Sequence, residues 1–303
     1  MKEKFRCIAD CLNFTIKIPV DCWFSFFNSP YPAHKSTTAI DIYYTCNEGL
    51  MPLDEGIVLE VKRFECPIKR IDASNIDYLI LVKVSSGVVL KILHVKPTVK
   101  PGERIYLGDP LGKMIISGFF SPWSDLHMHL EVRDIRDPYR ALGAFELDIS
   151  KTVNSLINPI YNVDMLFYVE DVYRNYVWLK PSNIVNGFQC GLALMIDKNI
   201  FWVDGGIPHY GYGSILGFSG FGYVYSTFGD IVGSIYHYKF NYSIFKSSCI
   251  ISTSPFNLKV IGIGSYIGMP FLKLILLDDG SKLKIGDSIN ICLTSNLLFN
   301  NVF

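Results

Sequence analysis

The chain has 303 residues, enough for one large domain or two of medium size, each with its own core. Half of the residues are hydrophobic and 14% are aromatic, which excludes global disorder. Lysine plus arginine and aspartate plus glutamate number 28 each, so the chain offers no electrostatic footprint for nucleic acid or an acidic membrane surface.

The opening stretch, MKEKFRCIADCLNFTIKIPVDCW, carries charge but no apolar run of signal-peptide length. A cytoplasmic setting is the expectation. Residues 1–12 form one of two short helix candidates, in which Cys7 and Cys11 would share a face. The eight cysteines contain no CxxC pair, which argues against a zinc ribbon or a thioredoxin-type site and predicts free thiols.

Strand signals follow in series: IDIYY, GIVLEVKRF, DYLILVKV, GVVLKILHV and LHMHLEV. Each is a short β-branched or aromatic run bounded by Gly, Pro, Asn or Asp. The expected fold class is all-β with antiparallel sheets. A second helix candidate, around 149–161, coincides with a shift to Tyr, Phe, Gly, Ser and Asn. It divides the chain into an N-terminal domain at 1–150 and a second β-rich domain at 151–303.

In the second half, the apolar stretch 261–277 is broken by Gly, Pro and Lys273, so it predicts core strands and no membrane span. GYGSILGFSGFG (211–222) lacks the glycine spacing of a phosphate loop and reads as turns and bulges. VDGGIP and LDDGSKL read as turns. His209 and His237 are expected to be structural.

Four of the six histidines lie in the first half. In a strand, residues i and i+2 share a face, so HMHLE sets His127, His129 and Glu131 on one side and Met128 and Leu130 on the other. The polar face is either solvated or turned to a cleft or a metal. His34, in a Pro- and Ser-containing loop, taken alone is a surface residue, and His94 a strand-end residue. Asp41 sits inside the apolar strand IDIYY and needs partners if buried. Two histidines and a carboxylate with an open fourth position is a known arrangement for catalytic zinc.

The order of these motifs resembles the lysostaphin/LytM-type zinc metallopeptidases. The counterparts are His34 and Asp41 in HKSTTAIDIYY, PLDEGIVLEV at 52–61, His94 in LKILHVKPTVKPGERIYLGDPLGK, and LHMHLEV at 126–132. The resemblance covers residues 34–132 and implies an antiparallel β-sheet domain of the duplicated hybrid motif, barrel-sandwich-like type. It implies zinc held by His34, Asp41 and His129, with His94 and His127 as catalytic imidazoles. The expected activity is hydrolysis of a peptide substrate by a metal-activated water. Glu131 and Tyr31 are expected next to this set, Glu131 as a partner fixing an imidazole tautomer and Tyr31 as an extra oxyanion donor.

The sequence departs from the family in three ways. Six residues, KSTTAI, separate His34 from Asp41, where the family has three including a glycine. The loop before HMH carries Phe119, Phe120 and Trp123 where the family has small residues. No export signal or wall-binding module is evident. An alternative expectation is therefore a non-catalytic protein that keeps the peptidase fold as a structural or binding module.

Overall fold

The computed structural model describes residues 4–159, 165–184, 186–277 and 280–296. Strand makes up 52% and helix 4%, so the chain is all-β with antiparallel sheets. It clusters into two compact units, Met1–Phe26 with Tyr31–Thr152, and Phe27–Pro30 with Val153–Phe303. No described helix is long and apolar enough to cross a membrane.

The first unit contains twelve strands: β1 (Phe5–Cys11), β2 (Phe14–Pro19), β3 (Trp23–Ser25), β4 (Ala39–Tyr43), β5 (Glu48–Leu50), β6 (Glu55–Glu65), β7 (Ile76–Lys83), β8 (Val88–Leu93), β9 (Val95–Pro97), β10 (Arg104–Tyr106), β11 (Pro110–Met114) and β12 (Met128–Asp134). Seven of them form one sheet in the order β10-β6-β7-β8-β12-β4-β3. A smaller sheet, β5-β11-β9, and the β1–β2 hairpin complete the unit. The helix candidate at 1–12 is corrected by this hairpin, since Phe5–Cys11 forms a strand antiparallel to β2, with a bulge between Cys7 and Ala9; the candidate's first three residues lie outside those described. That pairing buries Ile8, Ala9 and Cys11 and leaves Cys7 exposed, so the two cysteines do not share a helix face.

Side-chain alternation gives the large sheet two buried faces. Ile40, Ile42, Ile80, Val82, Leu90, Ile92, Leu130 and Val132 are all buried, and their register across β7, β8, β12 and β4 puts them on one face. The opposite face carries Asp41, Lys91, His129 and Glu131, also buried. A solvated polar face for HMHLE is therefore corrected: this face is covered too.

The second unit holds β13 (Leu166–Val172), β14 (Tyr176–Pro181), β15 (Leu192–Ile196), β16 (Asn199–Ile207), β17 (Tyr212–Leu216), β18 (Tyr223–Tyr225), β19 (Ile231–Lys239), β20 (Tyr242–Ser247), β21 (Cys249–Ser254), β22 (Val260–Ser265), β23 (Leu272–Leu276) and β24 (Ser288–Ser295). Its sheet runs β15-β18-β19-β20-β17-β16-β22-β23-β14-β13-β24-β21, and a further β15–β16 pairing closes the first six strands into a ring. The interior is packed with Val203, Ile215, Val224, Val232 and Phe245, among others. Closure removes the free edges of these six strands.

The stretch 261–277 forms β22 and β23, the core strands expected of it. VDGGIP, expected to be a turn, instead runs through β16 to Ile207. Gly205 permits this because a Cβ there would lie 2.5 Å from the Cα of Gly213 on the neighbouring strand. Residues 212–216 of GYGSILGFSGFG likewise form β17. The helix candidate at 149–161 contributes one short helix, α2 (Ser150–Ser155), and its last two residues lie outside those described. Of LDDGSKL, Asp278 and Asp279 also lie outside them.

Candidate metal centre

The register of β12 builds the centre. His129 lies directly opposite Asp41 on β4, and Glu131 lies directly opposite Lys91 on β8. Directly opposed residues on an antiparallel pair have neighbouring side chains on the same face. His129 Nδ1 is 2.8 Å from Asp41 Oδ1. Lys91 Nζ donates to Glu131 Oε1 at 2.8 Å.

His34 arrives from outside the sheet. Pro32–Lys35 forms a single helical turn, α1, with proline at its start. The chain then turns through Thr37, in the left-handed region at φ 56, and the Thr38 N–H donates to Ala33 O at 3.0 Å. The turn and this bend take up the long interval before Asp41. His34 is fully buried, with Nε2 3.2 Å from Asp41 Oδ1 and 3.4 Å from His129 Nδ1. Ligand atoms of His34, Asp41 and His129 all lie within 4.8 Å of one another.

The chemistry of this donor set fits a cation. His34 Nδ1 is 2.8 Å from the carbonyl of Phe26, which only accepts, so Nδ1 carries the proton and neutral His34 presents a bare Nε2. His129 Nε2 is 3.1 Å from the carboxylate of Glu131, so its outer nitrogen donates and its inner Nδ1 is bare when neutral. Two lone pairs and a carboxylate oxygen thus converge on one buried point, and such a set needs a positive charge among them. Bonds of about 2.0–2.1 Å to a tetrahedral zinc imply ligand separations of about 3.3 Å. The 3.2 and 3.4 Å separations match this edge, and the 2.8 Å one is shorter.

In the metal-free chain a proton can supply the charge. Burial works against it on His129, but hydrogen bonds to Asp41 and Glu131 outweigh burial and raise the imidazole to about 9. Burial likewise opposes ionisation of Asp41, yet the adjacent histidines hold its carboxyl well below the usual range. Glu131 is held near 2 against the effect of burial, by His129 and Lys91. Its second oxygen accepts from Arg133 Nη1 at 2.6 Å.

The two remaining imidazoles flank the centre. His127 directs Nε2 toward Asp41 Oδ2 at 3.7 Å, while its Nδ1 donates to Asp125 O at 2.8 Å. Burial pushes His127 down to about 4 despite the neighbouring Asp41. The His94 ring lies 5.4 Å from that of His127, centre to centre. Phe120 stacks on His127 at 4.2 Å with 12° between the planes, and meets His94 edge-on at 4.8 Å. Gly118 lets this loop sit close to its neighbour, since a Cβ there would fall 1.9 Å from Pro67 O.

Tyr31 packs edge-on against His129, with ring centres 5.2 Å apart, and its hydroxyl accepts from Lys91 Nζ at 3.2 Å. Burial raises its phenol to about 12. Tyr31 and Glu131 thus both border His129 directly.

Four contributors were not singled out in the sequence. Asp77 at the head of β7 holds His94 Nδ1 at 2.7 Å and accepts from Ser117 Oγ at 2.6 Å. Lys91 and Arg133 clamp Glu131. The signal for Asp77 and Lys91 was the one that marked Asp41, a charged residue in an otherwise apolar strand.

Residues 18–149 are similar to a family described as domain of unknown function (DUF8155), N-terminal domain. That span contains every residue of the centre described above. No curated protein and no solved structure matches the chain.

Proposed function

We propose that the chain is a zinc-dependent peptidase, hydrolysing peptide bonds at the centre formed by His34, Asp41 and His129. The observation that carries this reading is the convergence of two bare imidazole nitrogens and a carboxylate oxygen on one point, each imidazole tautomer fixed by an outer acceptor. Zinc held there supplies a Lewis acid and lowers the pKa of a bound water. His127, with Nδ1 on the Asp125 carbonyl and Nε2 toward Asp41, is placed to hydrogen-bond and orient that water. His94, across from it, is placed to return a proton to the leaving amine or to hydrogen-bond the developing oxyanion. The order of motifs shared with lysostaphin/LytM-type enzymes supports the peptide substrate class.

Metal analysis of the purified chain tests the reading. About one zinc per chain is expected, with loss of it in His129→Ala. Zinc retained in that variant overturns the ligand assignment. A zinc-loaded chain that cleaves nothing in a peptide library, D-amino-acid and glycine-rich peptides included, overturns the peptidase reading.

One observation favours a second reading, a structural zinc in a non-catalytic protein. All five His and Asp side chains are buried, and Phe120 lies over His127. With His127 Nε2 as a fourth ligand the centre would be closed, as structural sites are. His127→Ala separates the two readings. It lowers turnover but retains zinc if His127 orients the water, and it loses zinc if His127 is a ligand.

A further inference from the structure

The Asp77 carboxylate reaches His94 at two points. Oδ2 lies 2.7 Å from the ring Nδ1, and Oδ1 accepts the His94 backbone N–H at 3.2 Å. Oδ1 also accepts the N–H of Tyr78 at 2.7 Å, and Oδ2 accepts Ser117 Oγ–H at 2.6 Å. Asp77 is fully buried and its carboxyl is lowered, burial being outweighed by His94 and the hydrogen bonds. His94 itself occupies the left-handed region at φ 68, uncommon for a residue with a side chain, and its carbonyl accepts from Ile115 N–H at 3.0 Å. The backbone twist and the ring are therefore fixed by one carboxylate.

We propose that Asp77 is a positioning residue that holds His94 as its Nδ1–H tautomer, and so makes His94 the proton carrier of the centre. The inference rests on the hydrolytic reading above. A carboxylate accepts only, so the proton between Asp77 and His94 belongs to Nδ1 and the neutral ring has a bare Nε2. His94 can then take a proton at Nε2 from the attacking water, and the resulting imidazolium is stabilised by the buried carboxylate on its other side. The same proton leaves from Nε2 to the departing amine, so the group returns to its starting state. His127 has only the carbonyl of Asp125 behind its Nδ1, an uncharged acceptor. This difference separates two imidazoles that are otherwise similarly placed. His94 carries the proton, and His127 accepts a hydrogen bond.

Asp77→Asn tests the assignment without changing shape. Two backbone N–H groups converge on Oδ1, so the asparagine carbonyl oxygen must stay there. The NH2 group then faces His94 and Ser117, and it can only donate. His94 must accept at Nδ1 and carry its proton on Nε2. The tautomer is read from the ¹⁵N shifts of the His94 ring in the metal-free chain at neutral pH, and zinc content and peptide turnover are measured alongside. Nδ1–H is expected in the parent and Nε2–H in Asp77→Asn, with zinc retained and kcat lower by about 10²-fold or more. A parent chain whose neutral His94 carries its proton on Nε2 overturns the proposal, and needs no variant to fold. Unchanged kcat in a zinc-loaded Asp77→Asn also overturns it. If the parent binds zinc but cleaves no peptide, the hydrolytic reading and the proton-carrier role fail together, while the ring shifts still decide whether Asp77 sets the tautomer.

Discussion

His129 and Asp41 face each other across antiparallel β12 and β4, with Nδ1 of one 2.8 Å from Oδ1 of the other. The strand period of two then puts Glu131 next along the same face, opposite Lys91. Glu131 accepts hydrogen bonds from Lys91 Nζ and Arg133 Nη1, and it also accepts from His129.

Glu131→Gln should therefore destabilise the metal-free chain strongly. Lys91 and Arg133 are buried, and the change removes the carboxylate they share, leaving Arg133 only the longer contact to Asp137 at 3.4 Å. A loss of about 3–5 kcal/mol is expected for breaking such a buried pair. Urea unfolding of parent and variant at pH 7 measures it, and a loss below about 1 kcal/mol would show that the clamp is not what holds this face.

Phe120→Ala should uncover the imidazoles. Phe120 is buried and stacked on His127, so truncation costs about 3–5 kcal/mol in folding stability. The rate of His127 carbethoxylation by diethylpyrocarbonate should rise in the variant. Equal rates in a folded variant would mean that other residues shield the ring.

Acid should weaken the second unit through His209. Burial pushes this imidazole from 6.5 down to about 3, and Lys273 adds to the effect. Below pH 6.5 the unfolded chain takes up a proton that the folded chain refuses, so stability falls as pH drops from about 6.5 toward 3. Between pH 7 and 4.5 the contribution is on the order of 2 kcal/mol. His209→Leu removes it, and the variant should lose less stability than the parent over that interval. Urea midpoints at the two pH values give the comparison, and parallel losses would refute it.

Thiol reactivity should follow burial. Burial raises Cys11 to about 11 and Cys22 to about 12, whereas Cys7 and Cys46 are exposed. Iodoacetamide at pH 8 should label Cys7 and Cys46 in the folded chain well before Cys11 and Cys22. Mass spectrometry of timed digests reads the order, and early labelling of Cys22 would contradict the packing around β3.

Much of the first unit was legible because strand alternation is written in adjacent residues. IDIYY, DYLILVKV, GVVLKILHV and LHMHLEV all fall on strands β4, β7, β8 and β12. The same rule misled at VDGGIP, where paired glycines suggest a turn but serve close strand packing. It gave no protection at residues 1–12, where local residues permit a helix and pairing with β2 decides for a strand.

By itself the sequence determined the supply of chemistry: which imidazoles and carboxylates exist, in what order, and on which face of their strands they lie. Only the tertiary structure decided which of them meet. Register set His129 against Asp41 and Lys91 against Glu131, and a helical turn with a left-handed residue brought His34 back across its long loop. Asp77 and Phe120 joined the centre from β7 and from the loop before β12. Alternation depends on neighbours along the chain, but register and loop return depend on packing between residues tens of positions apart. No short stretch of sequence contains that information.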